Sequence, residues 1–190
     1  MDGSPEPDGT QSTAGPPPLE GEDAALAFIG AMFAGAPSAR WVGVMRDADD
    51  QRGRAFGRGK WRTVGAEWGR RALAAEAVQW AAGANVYISI GLQRRRPPKG
   101  KRGSADDVVA VTCLWLELDG ADAPARLAAL EGAIGRASIV VHSGGGAHAY
   151  WLLDRPLTGA AAIRRTLALS LIHISEPTRR TPISYAVFCL

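Results

Sequence analysis

The sequence predicts an α+β fold, a mixed sheet covered by helices. Two observations carry that expectation: strand-like and helix-like segments alternate along the chain, and the series closes on a hairpin. A chain of 190 residues is long enough for one compact core and not comfortably long enough for two. Although 46% of the residues are hydrophobic, no apolar run approaches the roughly 18 residues that cross a bilayer, so a soluble class without a membrane partner is expected. Residues 1–22 lack the basic start and apolar centre of a secretory signal, which points to the cytoplasm. Cys113 and Cys189 are the only cysteines, too few for a disulfide framework or a Cys-rich zinc centre.

Residues 1–22 are rich in Pro, Gly, Ser, Thr and acid and read as a disordered leader. One domain is expected over residues 23–169. Asp23 is placed to cap a first helix in which Leu26, Ile29 and Phe33 recur at helical spacing until Gly35 and Pro37. Trp41 to Met45 suggest a strand, and Asp47 to Lys60 a loop or hairpin tip. Ala66 to Ala82 read as a helix ended by Gly83. Val86 to Ile90 form a β-branched strand. Arg94 to Arg102 hold six cations in nine positions; prolines and like-charge repulsion predict a mobile basic loop. A strand over Val111 to Asp119 comes next, then a helix over Ala123 to Ile134 with Leu127, Leu130 and Ile134 on one face. A strand over Ser138 to His142 turns through Gly144, Gly145 and Gly146 into another over Ala147 to Leu153, and Ala160 to Leu169 is helical.

The net charge of +3 favours an anionic partner without naming it, an ordinary solvated surface being an equal explanation. Cys113 to Gly120 alternates strictly, so Leu114, Leu116 and Leu118 share one strand face while Glu117 and Asp119 share the other. Two carboxylates about 6.6 Å apart along a strand converge on a point where a hard cation, Mg²⁺ or Mn²⁺, would offset their repulsion. On spacing alone, an acidic strand end leading into an Asp-Gly turn is the more ordinary explanation. Further on, Ser143, Gly144, Gly145 and Gly146 form a turn able to point N–H groups at an anion, with His148 just past it. Taken singly, that turn is more readily explained as a flexible hairpin with a half-buried His satisfied by a backbone carbonyl. The basic loop suits phosphate contacts, with a solvated charge run as its alternative. The tryptophans Trp68, Trp80 and Trp115 are assigned to the core rather than to base stacking. His142 and His148 lack the single-residue spacing of a relaxase pair.

In this order, the acid-x-acid strand, a helix, a strand and Ser143-Gly144-Gly145-Gly146-Ala147-His148-Ala149-Tyr150-Trp151 resemble motifs I and II of the archaeo-eukaryotic primase superfamily. The likeness spans roughly Asp23 to Leu169 and is nearest to the replication-protein-type primases and primase-polymerases of plasmids, phages and integrated elements. The resemblance implies a primase-polymerase catalytic core acting on a DNA template with nucleotide triphosphates, with a helicase domain or partner as its companion. Glu117 and Asp119 would bind Mg²⁺ or Mn²⁺, His148 would contact the triphosphate together with Ser143, Gly144, Gly145 and Gly146, and Arg94, Arg95, Arg96, Lys99, Lys101 and Arg102 would meet the nucleic acid. Glu117 departs from the family, which more often has Asp there. The family's third acidic residue has no counterpart downstream, which implies a C-terminally truncated, inactive domain. Residues 170–190, with no Gly and a single Ala, resemble a translated sequencing adapter and are expected to be a non-native tail, with a genuine C-terminal strand or helix of unusual composition as the alternative. A non-catalytic nucleic-acid-binding module and a carboxylate-metal nuclease are the rival readings.

Overall fold

The computed structural model describes residues 20–37, 39–46, 59–99, 103–142, 146–169 and 187–188. In chain order the elements are α1 (Gly21–Phe33), β1 (Trp41–Arg46), β2 (Gly59–Thr63), α2 (Glu67–Ala81), β3 (Val86–Ile88), β4 (Leu92–Gln93) and β5 (Val108–Asp119). They continue with α3 (Ala123–Ile134), β6 (Ile139–His142), β7 (Gly146–Thr158), α4 (Ala160–Leu169) and β8 (Val187–Phe188). The strands form one sheet in the order β6-β7-β5-β4-β1-β3-β8, with β2 on the other side of β1.

Every strand pairing among the described residues is antiparallel. The mixed sheet expected from the alternation of strands and helices is therefore corrected to an antiparallel one. The reason lies in how the helical crossovers are used. Helix α2 joins β2 to β3, and both flank β1; helix α3 joins β5 to β6, and both flank β7. Each crossover links two strands of like direction with a third, antiparallel strand inserted between them, the split β-α-β arrangement.

Helix α1 buries Ala25, Phe28, Ile29, Met32 and Phe33, the i, i+3, i+4, i+7, i+8 stripe of a helix lying on a core. These side chains join Leu73, Ala74 and Ala77 of α2 and Val42, Val44, Val86, Ile88, Cys113 and Tyr150 of the sheet in one cluster. Burial of each large member contributes about 1.5–3 kcal/mol. Helix α1 begins at Gly21, ahead of the expected cap, so Asp23 sits inside the first turn, where its carboxylate faces the positive end of the helix. On the opposite side α3 and α4 pack against β5 and β7.

Several boundaries differ from expectation for physical reasons. Strand β2 is one that the sequence does not announce; it pairs with β1 through all five of its residues, and its Lys60 and Arg62 carry too little apolar character to mark a strand. The single strand expected over Val86 to Ile90 breaks at Ser89. That buried residue takes the Gly43 amide on its hydroxyl oxygen at 3.0 Å and donates its own amide to the Gly43 carbonyl at 2.8 Å. Strand β7 runs on through Pro156, because a bulge between Cys113↔Leu152 and Val111↔Leu157 spares the proline a ladder donor it lacks. Trp68 is 63% exposed and Ile134 is 58% exposed, so neither belongs to the core, whereas Trp80 and Trp115 pack half-buried against it. Of the 170–190 segment only β8 is described, laid antiparallel on β3. Among the described residues no helix is long and apolar enough to cross a membrane.

Gly69, in the first turn of α2, has no room for a side chain, since a Cβ there would run into the Thr63 carbonyl of β2. Gly69→Ala is expected to cost roughly 1–3 kcal/mol as the helix is pushed off the strand, read as a lower thermal midpoint with circular dichroism unchanged at about 20 °C.

Candidate functional site

The functional side chains proposed from the sequence meet where β5 ends and β7 begins. In the antiparallel register Glu117 lies directly opposite His148, Asp119 opposite Gly146, and Trp115 opposite Tyr150. Directly opposed residues share a face, so Glu117, Asp119 and His148 lie on one side of the sheet. Val141 of β6 pairs with His148 from the other flank. This is the face that α1 covers, because Tyr150, two residues on from His148, meets the Phe28 ring edge-on at 5.3 Å. The row therefore passes from a closed apolar floor at Tyr150, through half-buried Glu117, to exposed Asp119.

Gly146 is where the two strands come closest. A Cβ there would strike the Leu118 carbonyl and crowd Asp119 Cα, so the glycine lets β7 start flush against the acidic end of β5. Ser143, Gly144 and Gly145 lie outside the described residues. His142 faces away from His148, pairing with Ala147 on the opposite face.

His148 is only 2% exposed, and its Nδ1 is buried with no hydrogen-bond partner among the described residues. An unmet buried polar atom costs about 1–3 kcal/mol, and such an atom marks a place where a ligand or water belongs. Burial holds the imidazole below its ordinary value near 6.5, and the Asp119 carboxylate opposes that shift. At neutral pH the ring is thus uncharged, with one donor and one acceptor nitrogen. Burial, with Cys113 and Glu117 adding to it, also raises the Tyr150 hydroxyl well above its usual range. The floor of the site is consequently a poor medium for charge, which strengthens any electrostatic contact made at its rim.

Glu117 and Asp119 fit a hard divalent cation by donor chemistry, since such ions take one or two carboxylates and leave other positions to water and substrate phosphates. Among the described residues no third His, Cys, Asp or Glu joins them.

The basic loop is elsewhere. It leaves β4 at Gln93, which pairs with Val108 at the opposite end of β5, some 30 Å from Glu117 at about 3.3 Å per residue. The arginines expected to be mobile are tied down: the Arg94 amide donates to the Asp107 carbonyl at 2.8 Å, Arg95 Nε lies 3.2 Å from Asp107 Oδ1, and Arg96 stacks over Trp41 at 5.8 Å. Arg94, Arg95, Arg96 and Lys99 are nonetheless placed on the outside of the fold, with Arg95 the most open of the ion-paired arginines; Lys101 and Arg102 lie outside the described residues.

One residue beside the site belongs to no sequence motif. Arg126, in the first turns of α3, donates from Nη1 to the Asp119 carbonyl at 3.2 Å and sits 3.7 Å from Asp122 Oδ1. The only sequence signal for it is the i, i+4 spacing from Asp122.

A histidine whose folded pKa is depressed binds fewer protons than in the unfolded chain, so folding loses stability as pH falls through the ordinary value near 6.5. Urea denaturation at about pH 7.5 and about pH 5.5 is expected to show that loss, and His148→Gln to reduce it. Asp119→Asn removes the opposing carboxylate and is expected to lower the imidazole pKa further in an NMR titration. Compared with protein-family models, curated proteins and solved structures, the chain matches none.

Proposed function

We propose that this chain carries the catalytic face of a metal-dependent DNA primase-polymerase, a template-dependent nucleotidyltransferase from the replication machinery of a plasmid, phage or integrated element, working in the cytoplasm. The observation that carries this reading is the pairing of Glu117 with His148 across β5 and β7. It joins two motifs separated by 31 positions in sequence on one face, at the margin of a water-poor floor. Glu117 and Asp119 would hold Mg²⁺ or Mn²⁺, which supplies Lewis-acid stabilisation of phosphoryl oxygens when bound. His148, neutral and unmet at Nδ1, is suited to hydrogen-bonding an oxygen of the incoming nucleotide's triphosphate without placing a fixed cation there. Among the described residues no third carboxylate stands beside the pair, so the role proposed for these residues is to hold the ion and the nucleotide.

The distance between the carboxylates and the arginines has a natural use in this reading. Some 30 Å is about nine nucleotide steps at about 3.4 Å each, so Arg94, Arg95 and Arg96 meet the backbone of template or primer roughly one duplex turn from the reacting end. The same separation favours a second reading, a non-catalytic nucleic-acid-binding module that uses the basic loop alone.

Metal binding separates the two. Mn²⁺ titration followed by electron paramagnetic resonance is expected to show a bound ion that Glu117→Ala and Asp119→Ala each release. Salt-sensitive DNA binding without any bound Mn²⁺ would favour the binding module. In fluorescence anisotropy with single-stranded DNA, replacing Arg94, Arg95 and Arg96 together by Ser is expected to flatten the plot of log affinity against log salt by about 2, near 0.7 for each lost phosphate contact. Mn²⁺ binding is expected to survive that change.

A further inference from the structure

Asp119 is the last residue of β5, and the turn beyond it offers little restraint. Gly120 leaves the strand at φ +94°, a conformation that glycine enters at no steric cost. The ladder gives Asp119 one neighbour, Gly146. Strand ends held this lightly open readily, yet an exposed carboxylate that is to share an ion with Glu117 has to stay within a fraction of an ångström of its place.

Arg126 supplies the missing restraint. Its guanidinium reaches back seven positions to the Asp119 carbonyl at 3.2 Å, while Asp122 Oδ1 lies 3.7 Å from the same Nη1. Helix α3 itself is held to the turn, through the Ala123 amide on the Gly120 carbonyl at 3.1 Å and the Arg126 amide on the Asp122 carbonyl at 3.0 Å. The side chain is 22% exposed, and its Nε is buried with no partner among the described residues. The Nη1 contact itself is open to solvent, but the unmet buried Nε donor costs stability. A purely structural link from a helix to a strand end would be served as well by an apolar contact.

We infer that Arg126 is a positioning residue for the candidate metal site, fixing the backbone of Asp119 so that its carboxylate is held in register with Glu117 and His148. The inference rests on the proposed binding of a divalent cation by that carboxylate pair. Its sign is informative. Arg126 is a cation beside a cation site, so if it acted through charge alone, its removal would tighten Mn²⁺ binding. If it acts through the Asp119 carbonyl, removal weakens binding, by the factor of about 10 or more typical of lost outer-shell support.

The test is Mn²⁺ affinity by electron paramagnetic resonance for the full chain, Arg126→Met, Arg126→Lys and Asp122→Asn, with thermal midpoints measured alongside. Arg126→Met is expected to bind about tenfold more weakly. Arg126→Lys, which keeps the charge and an N–H donor group but not the planar fork, is expected to recover part of the loss. Asp122→Asn is expected to stay close to the parent. Unchanged or tighter binding by Arg126→Met, with the parent binding well, overturns the positioning role and leaves the carboxylate site standing. No binding by the parent overturns both. Should Arg126→Met fail to fold, Arg126→Ala, which also lacks the donor, decides: affinity equal to the parent's overturns the role, and a loss that Arg126→Lys recovers supports it.

Discussion

The register between β5 and β7 is the constraint on which the rest of the candidate site depends. Strand side chains alternate with period two, so a slip of one residue would send Glu117 and His148 to opposite faces and bury one of them against α3 and α4. Several independent features oppose that slip. Gly146 fits flush against the Leu118 carbonyl only where it stands. Tyr150 meets Phe28 of α1 from one face while Leu118, Ala147 and Ala149 are buried from the other. The bulge between Val111 and Cys113 absorbs the extra residues of β7 beyond Leu152, so the mismatch is discharged far from the acidic end.

Within that register, polarity is graded along a single face. Cys113 and Tyr150 lie in the core, and burial drives both their acidities down. His148 sits one step nearer solvent along β7 and remains uncharged; Glu117 and Asp119 complete the step outward. A site built this way sets its charges beside a low-dielectric floor, where their fields are less screened than on an open surface, and keeps for the imidazole the neutral form that both donates and accepts. Arg126 and Gly146 act on the same few atoms from two directions, one through a carbonyl and the other through the absence of a side chain.

The sheet also keeps its two polar regions apart. Arg95 and Arg96 are anchored through their side chains, to Asp107 and Trp41, and Arg94 through its backbone amide on the Asp107 carbonyl. An exposed pair such as Arg95 with Asp107 adds little stability, about 0–1 kcal/mol. The arginines that follow β4 and the carboxylates that close β5 (Val108–Asp119) therefore lie toward opposite ends of one strand.

Much of this was legible in the sequence. Helices α2, α3 and α4 and the strands at Trp41, Val111 and Ala147 come from local periodicity, as does the sharing of one face by Glu117 and Asp119, because period and side-chain direction are properties of a single segment. Local pattern could not supply anything that depends on a partner strand. Strand β2, with Lys60 and Arg62, is a strand only because β1 pairs with it. Ile134 continues an apolar stripe that the sheet does not reach. The basic loop reads as mobile from its composition, but Asp107 and Trp41 hold it, and its distance from Glu117 is set by the run of β5. Arg126 had no motif to mark it, since its role lies in a carbonyl contact that exists only once α3 folds back on the strand end. The chain alone determined which residues could do chemistry; the antiparallel pairing of β5 with β7 decided which of them stand together, because hydrogen-bond register between distant segments is fixed by the packing of the whole sheet.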